Sequence, residues 1–248
     1  MRRADQRSAA PTRRWRWLYR AIPAIAALVL NIAPACAASL ALVLAIDVSE
    51  SVSPDRYILQ RDGIAKAFES ALLVDKIAAV PGGIEALVLE WSDPEKIAVT
   101  VGWTRIANKK GASAFAAAIR ETRRSSNGLT AIGSALLAAA AAFDHMPEPA
   151  DHKVIDISGD GMANFGVSPA IARDTLVQAG ITINGLAILT EEPWLDEYYR
   201  HNVIGGAAAF VLVAENMESF ADAMLRKLVQ EVASVPGEIR DAHMDQMQ

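Results

Sequence analysis

Residues 40–53, LALVLAIDVSESVS, constrain the fold more than any other stretch of the chain. An almost unbroken apolar run over 40–46 turns abruptly into Asp47, Ser49 and Ser51, three oxygen-bearing side chains on alternate residues. A short run that is apolar on both faces and ended by polar residues reads as a buried parallel strand. Ser53-Pro54 then starts a helix, with serine as N-cap and proline at the first helical position. The polar cluster therefore sits in a strand-to-helix loop at the carboxyl edge of a sheet, where open α/β sheets keep their ligand sites.

The rest of the chain repeats this alternation. Tyr57, Ile64, Phe68 and Leu72 mark one face of a helix after the first strand, and Pro81-Gly82-Gly83 makes a turn. Residues 84–91 form a second strand and 96–104 a third. The tight connection Ser92-Asp93-Pro94-Glu95 makes the third strand an antiparallel edge. Helices are expected over 113–123 and 131–143, separated by the polar loop 125–130. Strands at 153–158, 181–189 and 210–214 alternate with helices at 168–180, 193–203 and 217–233. Such alternation with right-handed crossovers gives a doubly wound α/β sheet of six mostly parallel strands in the order 3-2-1-4-5-6. Its direction reverses between strands one and four. Asp47–Ser51 follows strand one, Asp160 follows strand four, and Thr130 leads into the helix between them, so three loops converge on one crevice.

The ends have a different character. Seven arginines before residue 21, an apolar run over 21–32 and Ala35-Cys36-Ala37 read as a secretory signal peptide over 1–37 with an A-x-A cleavage site. A retained anchor is the alternative, but the run is short for a span of about 20 residues. Residues 38–234 then form one domain and 235–248 a loose polar tail. A periplasmic or secreted location follows, with no stable membrane insertion after cleavage. Cys36 is the only cysteine, so cleavage after Ala37 leaves no thiol chemistry. The leader holds seven of the 24 Lys and Arg and one of the 29 Asp and Glu. The remainder carries 17 basic and 28 acidic residues, net −11. That charge argues against nucleic acid or anionic lipid as a partner.

Asp47, Ser49, Ser51, Thr130 and Asp160 offer only oxygen, which suits a hard cation: Mg²⁺, with Mn²⁺ or Ca²⁺ as alternatives. Two carboxylates balance a divalent charge and three hydroxyls add neutral ligands. An octahedral ion so held keeps a position open for a partner's acidic side chain. No His or Lys in these loops offers a general base, so the set describes binding better than hydrolysis. Glu50 and Trp91 are expected on the partner-facing rim, with Glu90 at the crevice edge. Asp156, inside a strand, reads as a hydrogen-bonded structural residue. The four histidines are scattered without zinc spacing. A phosphohydrolase using Asp47 as nucleophile would want a second aspartate where Ser49 stands. A dinucleotide or Walker loop is missing after the first strand. An exported scaffold with a vestigial site is the remaining alternative.

Asp47-x-Ser49-x-Ser51, the isolated Thr130 and Asp160-Gly161 resemble the metal-ion-dependent adhesion site of von Willebrand factor type A domains. The resemblance implies that the first motif and the threonine ligate the metal and that Asp160 acts largely through water. It covers about residues 40–233. Three stretches are similar to the DUF1194 family of exported bacterial proteins: 154–161 (VIDISGDG), 180–186 (GITINGL) and 198–206 (YYRHNVIGG). Glu50 departs from the pattern, where small residues are common, and adds a carboxylate beside the metal.

Overall fold

A computed structural model describes residues 37–235 of the chain. All but the last residue of the signal-peptide assignment, and all but the first residue of the C-terminal tail, lie outside the described residues. Six strands form one sheet: β1 Ala38–Asp47, β2 Ile84–Trp91, β3 Ile97–Ile106, β4 Ala150–Gly159, β5 Thr182–Ile188 and β6 Val211–Ala214. Their order is β3-β2-β1-β4-β5-β6, with every neighbouring pair parallel except β2–β3. This is the order and direction the alternation of segments implies.

Seven helices flank the sheet: α1 Pro54–Glu69, α2 Ala71–Ala79, α3 Lys109–Arg120, α4 Ile132–Ala142, α5 Pro169–Gln178, α6 Leu195–Asn202 and α7 Phe220–Ala233. The two faces of β1 divide the core. Leu40, Leu42, Leu44 and Ile46 pack with Phe68, Phe115 and Phe220 from α1, α3 and α7. Ala41, Val43 and Ala45 face the small side chains of α4, Ala135 and Ala139 among them. Small residues on both sides let α4 lie close to the sheet, which sets the height of the loop that carries Thr130.

One helical stripe differs from the expected pattern. Tyr57, Ile64 and Phe68 are buried as anticipated, but Leu72 is 54% exposed. The helix stops at Ser70, whose backbone is extended (φ −64°, ψ 128°), and restarts as α2. The break resets the rotation, so Leu73, Val74 and Ile77 turn inward instead.

Candidate metal centre

Asp47 closes β1 and Asp160 directly follows β4, so the parallel pairing of these central strands brings the two acids to the same sheet edge. Both are fully buried. Asp47 Oδ1 accepts the amide hydrogen of Ser49 at 2.7 Å, which folds the loop back over the strand end. Ser49 Oγ and Ser51 Oγ lie 3.1 Å apart, and the Ser51 hydroxyl donates to Asp160 Oδ1 at 2.6 Å. Ser49 is buried while Ser51 is exposed, so the cluster opens to solvent at one end.

Thr130 is buried beside this loop system. Its amide donates to Asn164 Oδ1 at 2.9 Å, and the Asn164 amide returns a bond to the Thr130 carbonyl at 3.0 Å. Thr130 is thereby locked to the loop that begins at Asp160. The Glu50 amide donates to the Gly128 carbonyl at 2.8 Å and ties the first loop to the same segment. Arg124 Nη2 donates to the carbonyls of Val48 and Ser49, both at 2.8 Å, and clamps the first loop from the side. Arg56 Nη1 donates to the Ser51 carbonyl at 3.0 Å and to Glu191 at 2.8 Å, standing 3.7 Å from Asp160 Oδ2. The structure thus gathers Asp47, Ser49, Ser51 and Asp160 by direct contact and brings Thr130 in through the backbone.

The second oxygens decide what this cluster can do. Asp47 Oδ2 and Asp160 Oδ2 are buried and have no hydrogen-bond partner. Burial foremost, and then the charge of Asp160, pushes the Asp47 carboxyl up to about 7. Burial also raises Asp160, against the pull of the Ser51 hydroxyl and of Arg56. Two buried carboxylates with free lone pairs cost free energy when ionised unless a cation joins them. A hard divalent ion fits that donor set, with the hydroxyls of Ser49, Ser51 and Thr130 as neutral ligands. Among the described residues no group of three or more His, Cys, Asp or Glu is arranged to hold a metal, so an ion here would depend on hydroxyls as well as carboxylates.

Tyr199, on α6, completes the floor. It is fully buried, its hydroxyl has no hydrogen-bond partner, and burial followed by the charges of Asp47 and Asp160 holds its pKa well above the usual phenol. A Cβ added to Gly159 would stand 2.7 Å from the Tyr199 hydroxyl and 2.8 Å from Asp47 Oδ2, so only glycine lets both groups meet the end of β4. Tyr199 packs into the core from the helix expected over 193–203; its place under Asp47 has no signal in the sequence. Asn164 and Arg124 were equally silent, because each acts on a backbone atom of another loop.

The rim expected from the sequence is corrected at one position. Glu50 is exposed beside the cluster. Trp91 is fully buried and packs with Leu87 and Leu89 in the core on the α4 side, so it presents no surface to a partner. Its neighbour Glu90 is also buried. It accepts the Tyr57 hydroxyl at 2.9 Å and the Ser125 amide at 2.7 Å, a bracket between β2 and the loop before α4. Asp156 lies buried inside the strand and is held by an ion pair with the buried Lys227 at 2.6 Å rather than by the hydrogen bonds expected from the sequence.

Sequence comparison matches residues 36–236 to the family described as "Protein of unknown function (DUF1194)". The chain belongs to the DUF1194 family. Among curated proteins no relative of this DUF1194 chain matches. Its fold is that of von Willebrand factor type A domains. Proximal thread matrix protein 1 from the mussel byssus superposes with a TM-score of 0.56 at 15% identity, over 80% of this chain and 48% of that one. The same protein is also known with a zinc-occupied MIDAS motif (TM-score 0.56, 18% identity, 79% and 46% covered). The pilus adhesin SpaC from Lactobacillus rhamnosus GG gives 0.57 at 13% identity, over 79% of this chain and 30% of that one. The type A domain from Catenulispora acidiphila gives 0.55 at 20% identity, with 79% and 43% covered. The DUF1194 chain thus spans under half the length of these structures.

Proposed function

We propose that this DUF1194 chain is an exported, divalent-metal-dependent protein-binding domain that carries out no catalysis. Asp47 and Asp160 would hold Mg²⁺, or Mn²⁺ or Ca²⁺ in its place, together with Ser49, Ser51 and Thr130. A bound ion would supply the positive charge that attracts an acidic side chain of a protein partner, while those five residues would hold the ion. The observation that carries this reading is the pair of buried carboxylates whose Oδ2 atoms have no hydrogen-bond partner. The zinc-occupied motif of the byssus protein and the adhesin role of SpaC support the same reading.

The chain's own residues do the preparatory work. The Ser49 amide fixes one oxygen of Asp47 and leaves the other free. Arg124 and the Glu50–Gly128 bond hold the loop so that its hydroxyls need little reordering. The groups in contact with the two acids are hydroxyl, amide and guanidinium, none of them a base for activating water. No helix among the described residues is long and apolar enough to cross a membrane. Export rests on the basic head, short apolar run and A-x-A site of residues 1–37. The intact mass of the protein recovered from its native host checks it, and a mass that retains residues 1–37 refutes it. Calorimetry with Mg²⁺, Mn²⁺ and Ca²⁺ tests the site itself. Binding that disappears in Asp47→Ala is the expected result; no heat from any of the three ions at millimolar concentration makes the vestigial scaffold the better account.

A further inference from the structure

Two stretches beside the site carry no charged residue of their own. The chain has no charged residue between Arg124 and Asp144, and none between Asp160 and Arg173, although 21% of its residues are charged. These two stretches lie side by side. Thr130 and Asn164 exchange two hydrogen bonds, and the Val167 amide donates to Ser134 Oγ at 3.5 Å. Gly166, at φ 79°, lets the loop approach so closely that a Cβ there would stand 2.6 Å from Ser134 Oγ and 3.3 Å from the Ala131 side chain. Farther on, α5 packs on α4. The charged groups that touch these stretches, Asp93 on the Leu129 amide at 2.6 Å and Lys96 on the Asn127 carbonyl at 3.0 Å, pair with each other at 2.9 Å; elsewhere the rim carries Glu50, Arg56, Glu191 and Glu192.

These two stretches also expose large apolar side chains. Leu129 is adjacent to Thr130 and 43% exposed. Met162, Phe165 and Val167 follow Asp160 in the β4–α5 loop, with Phe165 54% exposed, and Ile171 in the first turn of α5 is 65% exposed. Exposed apolar side chains gathered beside polar ligands mark an interaction site. A chain of net −11 beyond its leader repels a generally acidic partner. A segment with a single carboxylate and neutral apolar neighbours meets less of that penalty.

We propose that this face receives the apolar residues flanking the carboxylate that a protein partner lends to the metal, so that the bound segment runs from the metal across the 161–167 loop toward α4 and α5. The inference rests on the metal-dependent reading above and adds the sequence character of the partner: one acidic residue with large apolar neighbours.

Two synthetic peptides test it, each with one central aspartate, the first flanked by Leu and Phe and the second by Ser and Gly. Fluorescence anisotropy is measured on the wild type and on a Phe165→Ser/Ile171→Ser double variant, in Mg²⁺ and in EDTA. In Mg²⁺ the wild type binds the apolar-flanked peptide at least tenfold more tightly than the other. The double variant binds the two alike, while its melting temperature and its calorimetric Mg²⁺ affinity match the wild type. Equal binding of both peptides by Mg²⁺-loaded wild type overturns the proposal. An apolar preference that persists in EDTA, in a protein that binds no Mg²⁺, supports the surface and refutes the metal-dependent function. Sedimentation velocity covers the remaining occupant: a wild-type dimer that the double variant abolishes assigns the face to self-association and overturns the proposal.

Discussion

Two buried acidic clusters lie along β4, and they solve the same problem differently. Asp156, inside the strand, meets Lys227 Nζ at 2.6 Å, and Lys227 also donates to Glu231 at 2.6 Å. Asn184 adds a bond to Glu231 at 3.2 Å, and Lys227 lies 5.1 Å from the centre of the Phe210 ring. Asp160, at the strand end, shares its cluster with Asp47 and hydroxyl groups, and its nearest guanidinium nitrogen is 3.7 Å away. Burial, as the largest cause, pushes Asp156 and Asp47 alike up to about 7. The inner cluster carries its own cation and is closed. The outer one has an exposed serine at its mouth, and the guanidinium beside Asp160 stands at 3.7 Å, against 2.6 Å for the ammonium beside Asp156. On the proposed function, the charge paired inside the chain serves the fold and the pair left open at the strand end serves binding.

The comparison breaks most sharply at Lys227. Lys227→Met leaves Asp156 and Glu231 buried without their ammonium and should cost about 3–5 kcal/mol in urea denaturation. Asp47→Ala should cost little in metal-free protein, because it relieves the repulsion with Asp160. Equal losses for the two variants would erase the distinction. The next effect is the response to metal. Mg²⁺ at about 100 times its dissociation constant should stabilise the wild type by about 2.7 kcal/mol in thermal melts, by mass action. Asp47→Ala should show no shift, and Lys227→Met, if it folds, should keep the full increment.

A smaller effect is expected at the rim. Glu50→Gly removes a like charge from the approach of an acidic ligand and should tighten an aspartate peptide by about 1 kcal/mol in Mg²⁺. Calorimetry reads it, and unchanged affinity would count against Glu50 facing the ligand. The smallest effect comes from an exposed pair that serves as reference, Arg120 with Glu69. Glu69→Gln should cost only about 0.2–0.5 kcal/mol, because solvent screens both groups. Arg120 holds the Glu69 carboxyl below its ordinary value of 4.5. The pair's contribution is therefore present above that value and fades as pH falls through the lowered folded pKa. Equilibrium unfolding from pH 6 to pH 3 checks the sign.

The strand order and the polar loops were legible because they rest on local signals: apolar runs, a tight hairpin connection, and polar residues that abruptly end a strand. The Trp91 misplacement was avoidable, since period-two alternation in β2 puts it on the face of Leu87 and Leu89. The break at Ser70 was not, because no glycine or proline marks it and helical periodicity continues through Leu72. Lys227 was hidden for another reason. A lysine on an amphipathic helix reads as solvent-facing until its acceptor is known, and Asp156 and Glu231 become its partners only once α7 docks on the sheet. Asn164, Arg124 and Tyr199 belong with it: each acts across the fold, where no spacing rule reaches.

The loops around the two acids are joined largely by main-chain bonds: Val48 to Trp91, Glu50 to Gly128, Ala131 to Ser92 and Asn164 to Thr130, at 2.8–3.1 Å. Such a frame depends little on the hydroxyl side chains of Ser49, Ser51 and Thr130, whose loops are held by main-chain bonds and by Arg124 and Asn164. Descent could therefore silence the proposed ion site by exchanging a hydroxyl without endangering the fold, or retune it just as cheaply. On the metal-binding proposal, intact architecture in this chain would be no record of a working site; the identities at 47, 49, 51, 130 and 160 would be.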